Sequence, residues 1–227
     1  MSAPLLVKVC GLTRPQDARL CLELGVDLTG FIFAAKSPRR VTPETVRGMP
    51  QGSALRVGVF VEQSVGEVLD IMEYAGLDLA QLHGGQSPEF CRAVGARRVI
   101  RVFWPAQHAS PDALKTELER FAAVCHMLLL DAGTAGGGHG KTLDLDFLRG
   151  LQAPLPWLLA GGLGPDNIAS ALAKIRPHGV DLNSQVESAP GIKDHEKLRA
   201  ALAAARGGVA PSGLPDRGSA PDPAGGG

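Results

Sequence analysis

A single (β/α)8 barrel of the α/β class is the fold this sequence predicts, on three observations. Short β-branched or leucine-rich runs recur at roughly 20–30-residue intervals, the spacing of a strand–helix unit. Eight such runs occur, at residues 5–9, 28–33, 56–61, 79–82, 98–102, 127–130, 157–160 and 180–182. Helix-start signals fall between them, and alternating strand and helix with short connections demands a parallel sheet. Eight repeats can close that sheet into a cylinder, the TIM-barrel architecture. The first, third and sixth runs are nearly unbroken apolar stretches, as expected of parallel strands covered on both faces. An open doubly wound sheet of eight strands is the competing arrangement.

Taken in order, the first strand, Leu5-Leu6-Val7-Lys8-Val9, stops at Cys10-Gly11. Thr13-Arg14-Pro15 places a capping side chain ahead of a proline suited to a first helical turn, and Ala18, Leu20, Leu22 and Leu24 follow. The second strand leads into Lys36-Ser37-Pro38-Arg39. After the third, Ser64 precedes Val65, Val68, Leu69 and Met72, an amphipathic spacing that ends at Gly76. The fourth strand ends in Gln81-Leu82-His83-Gly84. Ser87-Pro88-Glu89, Ser110-Pro111-Asp112 and Gly164-Pro165-Asp166-Asn167 repeat the device of a cap followed by proline. The sixth strand ends at Asp131, before a glycine-rich stretch over residues 133–140 that is expected to be a flexible loop. Leu159-Ala160-Gly161-Gly162-Leu163-Gly164-Pro165 reads as a strand, two glycines and a helix start. Asp194 opens an alanine-rich last helix through Ala205. From Gly207 onward the composition collapses to Gly, Ala, Pro, Ser and Asp, with little to bury. Residues 1–206 are therefore expected to form the barrel domain and residues 207–227 a disordered tail.

Composition excludes several classes of partner. Acidic and basic residues balance at 23 each, so no global field attracts nucleic acid or a membrane surface. The longest apolar runs are strand-sized, far short of a bilayer span. Met1-Ser2-Ala3-Pro4 has neither a basic nor an apolar leader region, so a cytoplasmic protein is expected. Cys10, Cys21, Cys91 and Cys125 are widely separated without a CxxC pairing, which reads as reduced thiols and not as a disulfide frame or metal site.

Barrels of this kind keep their chemistry at the C-terminal ends of the strands. Cys10 sits there, on the same face of its strand as Lys8. A free cysteine is commonly just a small buried hydrophobe, but its place between strand end and glycine favours a functional thiol. Cys21, Cys91 and Cys125 fall on or beside helices and are expected to be core. Lys8 lies a layer deeper, with Asp181 of the last strand as its candidate partner. Asp131 has the same strand-end position as Cys10 and no immediate helix to cap. Gly161 and Gly162, followed by a helix start, would seat a phosphate, with Asn183-Ser184-Gln185-Val186-Glu187 after strand eight as the partner segment, Ser184 and Gln185 its candidate contacts. Arg39 could clamp a carboxylate bidentately. His83 also reaches the mouth, as either a structural or a substrate-contacting group. Gly-His-Gly-Lys-Thr at residues 138–142 does not make a P-loop: the first glycine of the motif, required five residues before Gly140, is lacking, since that position is Ala135.

In order along residues 5–206, these segments resemble the phosphoribosylanthranilate isomerase family. The stretches that carry the resemblance are Lys8-Val9-Cys10-Gly11-Leu12-Thr13, Gly30-Phe31-Ile32-Phe33 with Lys36-Ser37-Pro38-Arg39, Val57-Gly58-Val59-Phe60-Val61, Gln81-Leu82-His83-Gly84, Leu129-Leu130-Asp131, Gly140-Lys141-Thr142, Ala160-Gly161-Gly162-Leu163 and Gly179-Val180-Asp181 through Val186-Glu187. The resemblance implies an Amadori rearrangement in tryptophan biosynthesis with no metal or cofactor. It implies Asp131 as general acid, Cys10 as general base and Arg39 as the holder of the anthranilate carboxylate. A base requires a thiolate, and so a lowered Cys10 pKa; an acid at neutral pH requires a carboxyl kept protonated by burial. The substrate would be a small phosphoribosyl compound, and the assembly a monomer or homodimer. Two departures stand out: Gln185 brings a Cβ where the family has glycine, and His139 replaces a small hydroxyl residue. The alternatives are another phosphosugar isomerase or epimerase, and a non-catalytic phosphosugar-binding barrel. The first typically needs metal ligands or aspartates on strands one and five; the second has no need of both Cys10 and Asp131.

Overall fold

The computed structural model describes residues 4–133 and 145–207. The eight main strands are β1 (Leu6–Val9), β2 (Leu28–Ile32), β3 (Leu55–Phe60), β4 (Leu79–Leu82), β5 (Val99–Phe103), β6 (Met127–Asp131), β7 (Trp157–Ala160) and β8 (Gly179–Leu182). They form a closed barrel in sequence order, all parallel, with β8 pairing back onto β1 through Leu6↔Gly179 to Val9↔Leu182. That last ladder rules out the open sheet. Each strand lies within one residue of its expected limits.

The helices are α1 (Pro15–Glu23), α2 (Pro43–Arg47), α3 (Val65–Ala75), α4 (Pro88–Val94), α5 (Pro111–Phe121), α6 (Ile168–Lys174) and α7 (His195–Gly207). Ser64, Ser87 and Ser110 each accept the N–H three residues on, as their spacing predicts, and Ser64 with Glu67 forms a full capping box. Gly76 closes α3 at φ 64, in the left-handed region glycine favours. Two helix starts differ from expectation. Thr13 does not cap α1: its hydroxyl donates to the Gly191 carbonyl at 2.5 Å, and Arg14 occupies the cap position. The helix after β7 begins only at Ile168, because the Asn167 side chain is spent on the glycine loop, accepting from Gly164 N at 2.9 Å and donating to Gly162 O at 2.8 Å.

Period-two alternation sorts the strand residues into two cores. Leu6, Leu28, Val57, Leu79, Ile100, Val102, Met127, Leu129, Leu158 and Ala160 point inward and pack on one another. Their neighbours, such as Val7, Val9, Phe31, Leu128 and Leu130, pack outward against the helices. Above the apolar interior sits a charged layer, in which Lys8 Nζ meets both Asp181 carboxylate oxygens at 2.9 Å. This is the interior pair expected from the sequence.

An antiparallel hairpin follows β8, made of β9 (Glu187–Ala189) and β10 (Ile192–Lys193), and was not anticipated. Gly207 ends α7, one residue past the expected domain limit. Residues 134–144, which include His139 and Gly140-Lys141-Thr142, and tail residues 208–227 lie outside the described residues. Among the described residues no helix is long and apolar enough to cross a membrane.

Candidate active site

Extending the inward-facing rows by one step reaches the C-terminal rim of the cylinder. Leu6 and Lys8 lead to Cys10, Leu79 and Gln81 to His83, Ile100 and Val102 to Trp104, and Met127 and Leu129 to Asp131. The thiol and the carboxyl therefore share one end of the barrel and face the same interior, as the sequence predicted.

Cys10 N donates to Leu182 O at 2.8 Å, so the β1–β8 ladder runs through the residue and holds its side chain inward. Room for the sulfur comes from Gly30 on β2, where an added Cβ would lie 2.8 Å from Cys10 Sγ and 3.1 Å from Lys8 Nζ. The expected lowering of the Cys10 pKa is not found. Burial pushes the thiol up, and the pull of Lys8, whose charge is committed to Asp181, does not overcome it. Lys8 itself stays charged: burial opposes its ammonium, but Asp181 and Cys10 together outweigh that cost. Asp131 meets expectation. Burial raises its carboxyl above the ordinary range, against a hydrogen bond from Gly133 N to Oδ1 at 3.0 Å. Gly161, at φ 109, leaves space for it, since a Cβ there would lie 2.9 Å from Asp131 Oδ1.

His83 lies edge-on to Trp104, with ring centroids 5.2 Å apart, and its Nδ1 is 3.4 Å from Gln81 Nε2. Burial, helped by the nearby Lys8 charge, lowers its pKa to about 4, so the ring is neutral. Gly162, at φ 75, has open space where a side chain would project. Ser184 and Gln185 lie in a single 3-10 turn directly after β8. The two loops touch, because a Cβ on Gly164 would sit 2.7 Å from the Gln185 Cβ. The stem of Gln185 is thus lodged against Gly164.

Arg39 is brought to the same rim but not as a free cation. Its Nε and Nη2 grip Glu187 at 2.7–3.0 Å, and its stem crosses Gly11, where a Cβ would be 2.8 Å from Arg39 Cδ. Sequence reading assigned Asn183 and Glu187 only to the segment expected to help seat the phosphate, and missed both Lys193 and the link of all three to this arginine. The turn signal Ala189-Pro190-Gly191 was the available pointer to their hairpin. Trp104 was also missed, although counting by twos from Ile100 reaches it.

A closed (β/α)8 cylinder that brings a thiol, a desolvated carboxyl and a guanidinium to its C-terminal rim defines a barrel enzyme built for proton transfer on a small anionic substrate. The particular family follows from comparison with known proteins. The chain belongs to the N-(5'-phosphoribosyl)anthranilate isomerase family, whose model, described as "PRAI: N-(5'phosphoribosyl)anthranilate (PRA) isomerase", matches residues 7–204. A relative of that name from Maridesulfovibrio salexigens is 50% identical over 200 residues, covering 88% of this chain and 98% of the relative. Another, from Desulfovibrio desulfuricans, is 53% identical over 201 residues, covering 88% and 95%. The crystal structure of phosphoribosyl anthranilate isomerase from Thermotoga maritima superposes with a TM-score of 0.81 at 34% identity, covering 89% of this chain and 99% of that one.

Proposed function

We propose that this chain converts N-(5-phospho-β-D-ribosyl)anthranilate to 1-(2-carboxyphenylamino)-1-deoxy-D-ribulose 5-phosphate, the isomerisation step of tryptophan biosynthesis. In class it is an aldose–ketose isomerase, an intramolecular oxidoreductase. The observation that carries this reading is the delivery of Cys10 and Asp131 to one rim, in a chain that matches the family from residue 7 to residue 204.

Asp131 protonates the ribose ring oxygen as the C1′–O bond breaks, and the anilino nitrogen supplies the electron pair for the resulting C=N bond. Burial suits the carboxyl to this role by favouring its protonated form. Cys10 then takes the proton from C2′. The C2′–H electrons form the enolamine double bond and neutralise the iminium nitrogen. Protonation at C1′, with release of the C2′ hydroxyl proton, yields the ketone. The positive nitrogen makes C2′–H far more acidic than in the sugar itself, which eases the demand on a thiol that burial holds up. Arg39 takes the anthranilate carboxylate. The touching loops after β7 and β8, with Gly161, Gly162, Ser184 and Gln185, take the phosphate, and His83 contributes a neutral ring to the wall. No metal or cofactor enters these steps. The enzyme is placed in the cytoplasm as a monomer or homodimer, with its catalytic domain ending at α7.

Purified protein should turn over phosphoribosylanthranilate and rescue a tryptophan auxotroph lacking only this step. Cys10→Ala and Asp131→Asn should each lower kcat by about 10²–10⁴-fold while the melting transition stays cooperative. Near-normal turnover in either variant would refute the assigned roles.

A further inference from the structure

The charges around Arg39 are arranged as if to aim it. Glu187 Oε1 accepts from Arg39 Nε at 3.0 Å, and Oε2 accepts from Nε at 3.0 Å and from Nη2 at 2.7 Å. The same carboxylate takes Lys193 Nζ at 2.8 Å and Gly191 N at 3.2 Å. Lys193 is pinned in turn by Asn183, at 3.2 Å from its carbonyl and 3.1 Å from Oδ1. Side-chain exposure grades along the chain of charges: Lys193 is 0% exposed, Glu187 3% and Arg39 18%. Two cations flank one anion, so the cluster carries a net positive charge, and the open end of it is the guanidinium.

We infer that Glu187 is a positioning residue for substrate recognition: it fixes the plane of Arg39, and Lys193 offsets its charge so that Arg39 can still attract a carboxylate. This inference rests on the assignment of the anthranilate carboxylate to Arg39. A guanidinium has two edges that can each bind a carboxylate bidentately. Glu187 occupies the Nε–Nη2 edge, which leaves the Nη1–Nη2 edge for the substrate. The stem is confined as well, lying close over Gly11, where an added Cβ would meet Arg39 Cδ at 2.8 Å and Asn183 Oδ1 at 2.7 Å. An unrestrained arginine would have to be ordered by each incoming substrate, and holding it in advance removes that cost from binding. A neutral Arg39–Glu187 pair would offer an anion little; Lys193 restores the imbalance.

The test uses two non-reactive probes, the product reduced at C2 and the same compound with a phenyl ring in place of the carboxyphenyl ring, both titrated calorimetrically. Glu187→Gln should weaken the carboxylate-bearing probe by about tenfold, leave the phenyl probe nearly unchanged, and raise KM with little change in kcat. Arg39→Ala should show the same selectivity, and adding Glu187→Gln to it should cost nothing more. Equal weakening of both probes, or losses that add in the double variant, would overturn the inference and make the cluster a brace between loops. If Arg39→Ala is selective and Glu187→Gln is not, the positioning role alone falls; if Arg39→Ala is not selective, the carboxylate assignment falls with it. Glu187→Asp, which keeps the charge beside Lys193, provides the same reading should the amide variant not fold. Selectivity should again drop, and unchanged selectivity would count against the inference.

Discussion

His83 and Cys10 show at the scale of single residues that burial, more than identity, sets protonation here. His83 lies at the mouth beside Lys8, and its pKa is lowered to about 4, first by burial and then by that cation. The folded value lies below the ordinary 6.5, so unfolding takes up a proton at intermediate pH. Its contribution is therefore whole above about pH 6.5 and is lost as pH falls toward 4. The His83 ring protons should show no titration by NMR between pH 8 and about pH 5, and the urea midpoint of the wild type should drop more over that fall than that of His83→Gln. A ring titrating near 6.5 would contradict the burial argument. The place of Cys10 was legible from one strand end and one glycine. The direction of its pKa was not, because burial in the closed barrel raises it and the opposing pull of Lys8 is countered in part by an aspartate 173 residues away.

At the scale of elements, the eight strands could be read because each is a short apolar run fenced by caps and glycines. The β9–β10 hairpin could not, since strands of three and two residues are too short to show a period. What anchors that hairpin is Asp17 on α1, which accepts from Arg14 at 2.9 and 2.7 Å and from Lys193 N at 3.1 Å, and lies 2.9 Å from His195 Nε2. One carboxylate thus ties α1 to β10 and α7. Burial works against its charge, but the bonds from Arg14 and His195 outweigh it and hold the pKa below the ordinary 3.8. A lowered carboxylate pKa stabilises the fold fully above about pH 4, and that contribution is lost as pH falls through the folded value. Asp17→Ala should cost about 1–3 kcal/mol at neutral pH, since it strands one buried N–H while Arg14 and His195 can still reach water. Chemical denaturation should show the gap between wild type and variant closing as the pH is taken toward 2. A gap that stays constant would mean that the site is held by packing instead.

For the whole molecule, closure depends on the first strand finding the last. The alternation of elements announced a barrel, but nothing local states that β8 returns to β1; that is a property of accumulated twist and of eight repeats meeting. The seam is marked by Lys8 and Asp181, directly paired in register and joined by two bonds of 2.9 Å in the interior. A buried ion pair is not in itself strong stabilisation, because desolvation offsets most of the attraction. Breaking one is costly, because it leaves the other charge alone. Lys8→Met should therefore destabilise the barrel by about 3–5 kcal/mol, through an unpaired Asp181 that must take up a proton or draw in water. Replacing both members with Lys8→Met and Asp181→Leu should recover much of that loss, measured as urea unfolding free energy at constant slope. Turnover should stay low in the double variant, because Lys8 also favours the thiolate of Cys10. Recovery of stability without recovery of activity would separate the two duties of Lys8, closing the cylinder and biasing the base above it. Full recovery of both would reduce it to a seam residue alone.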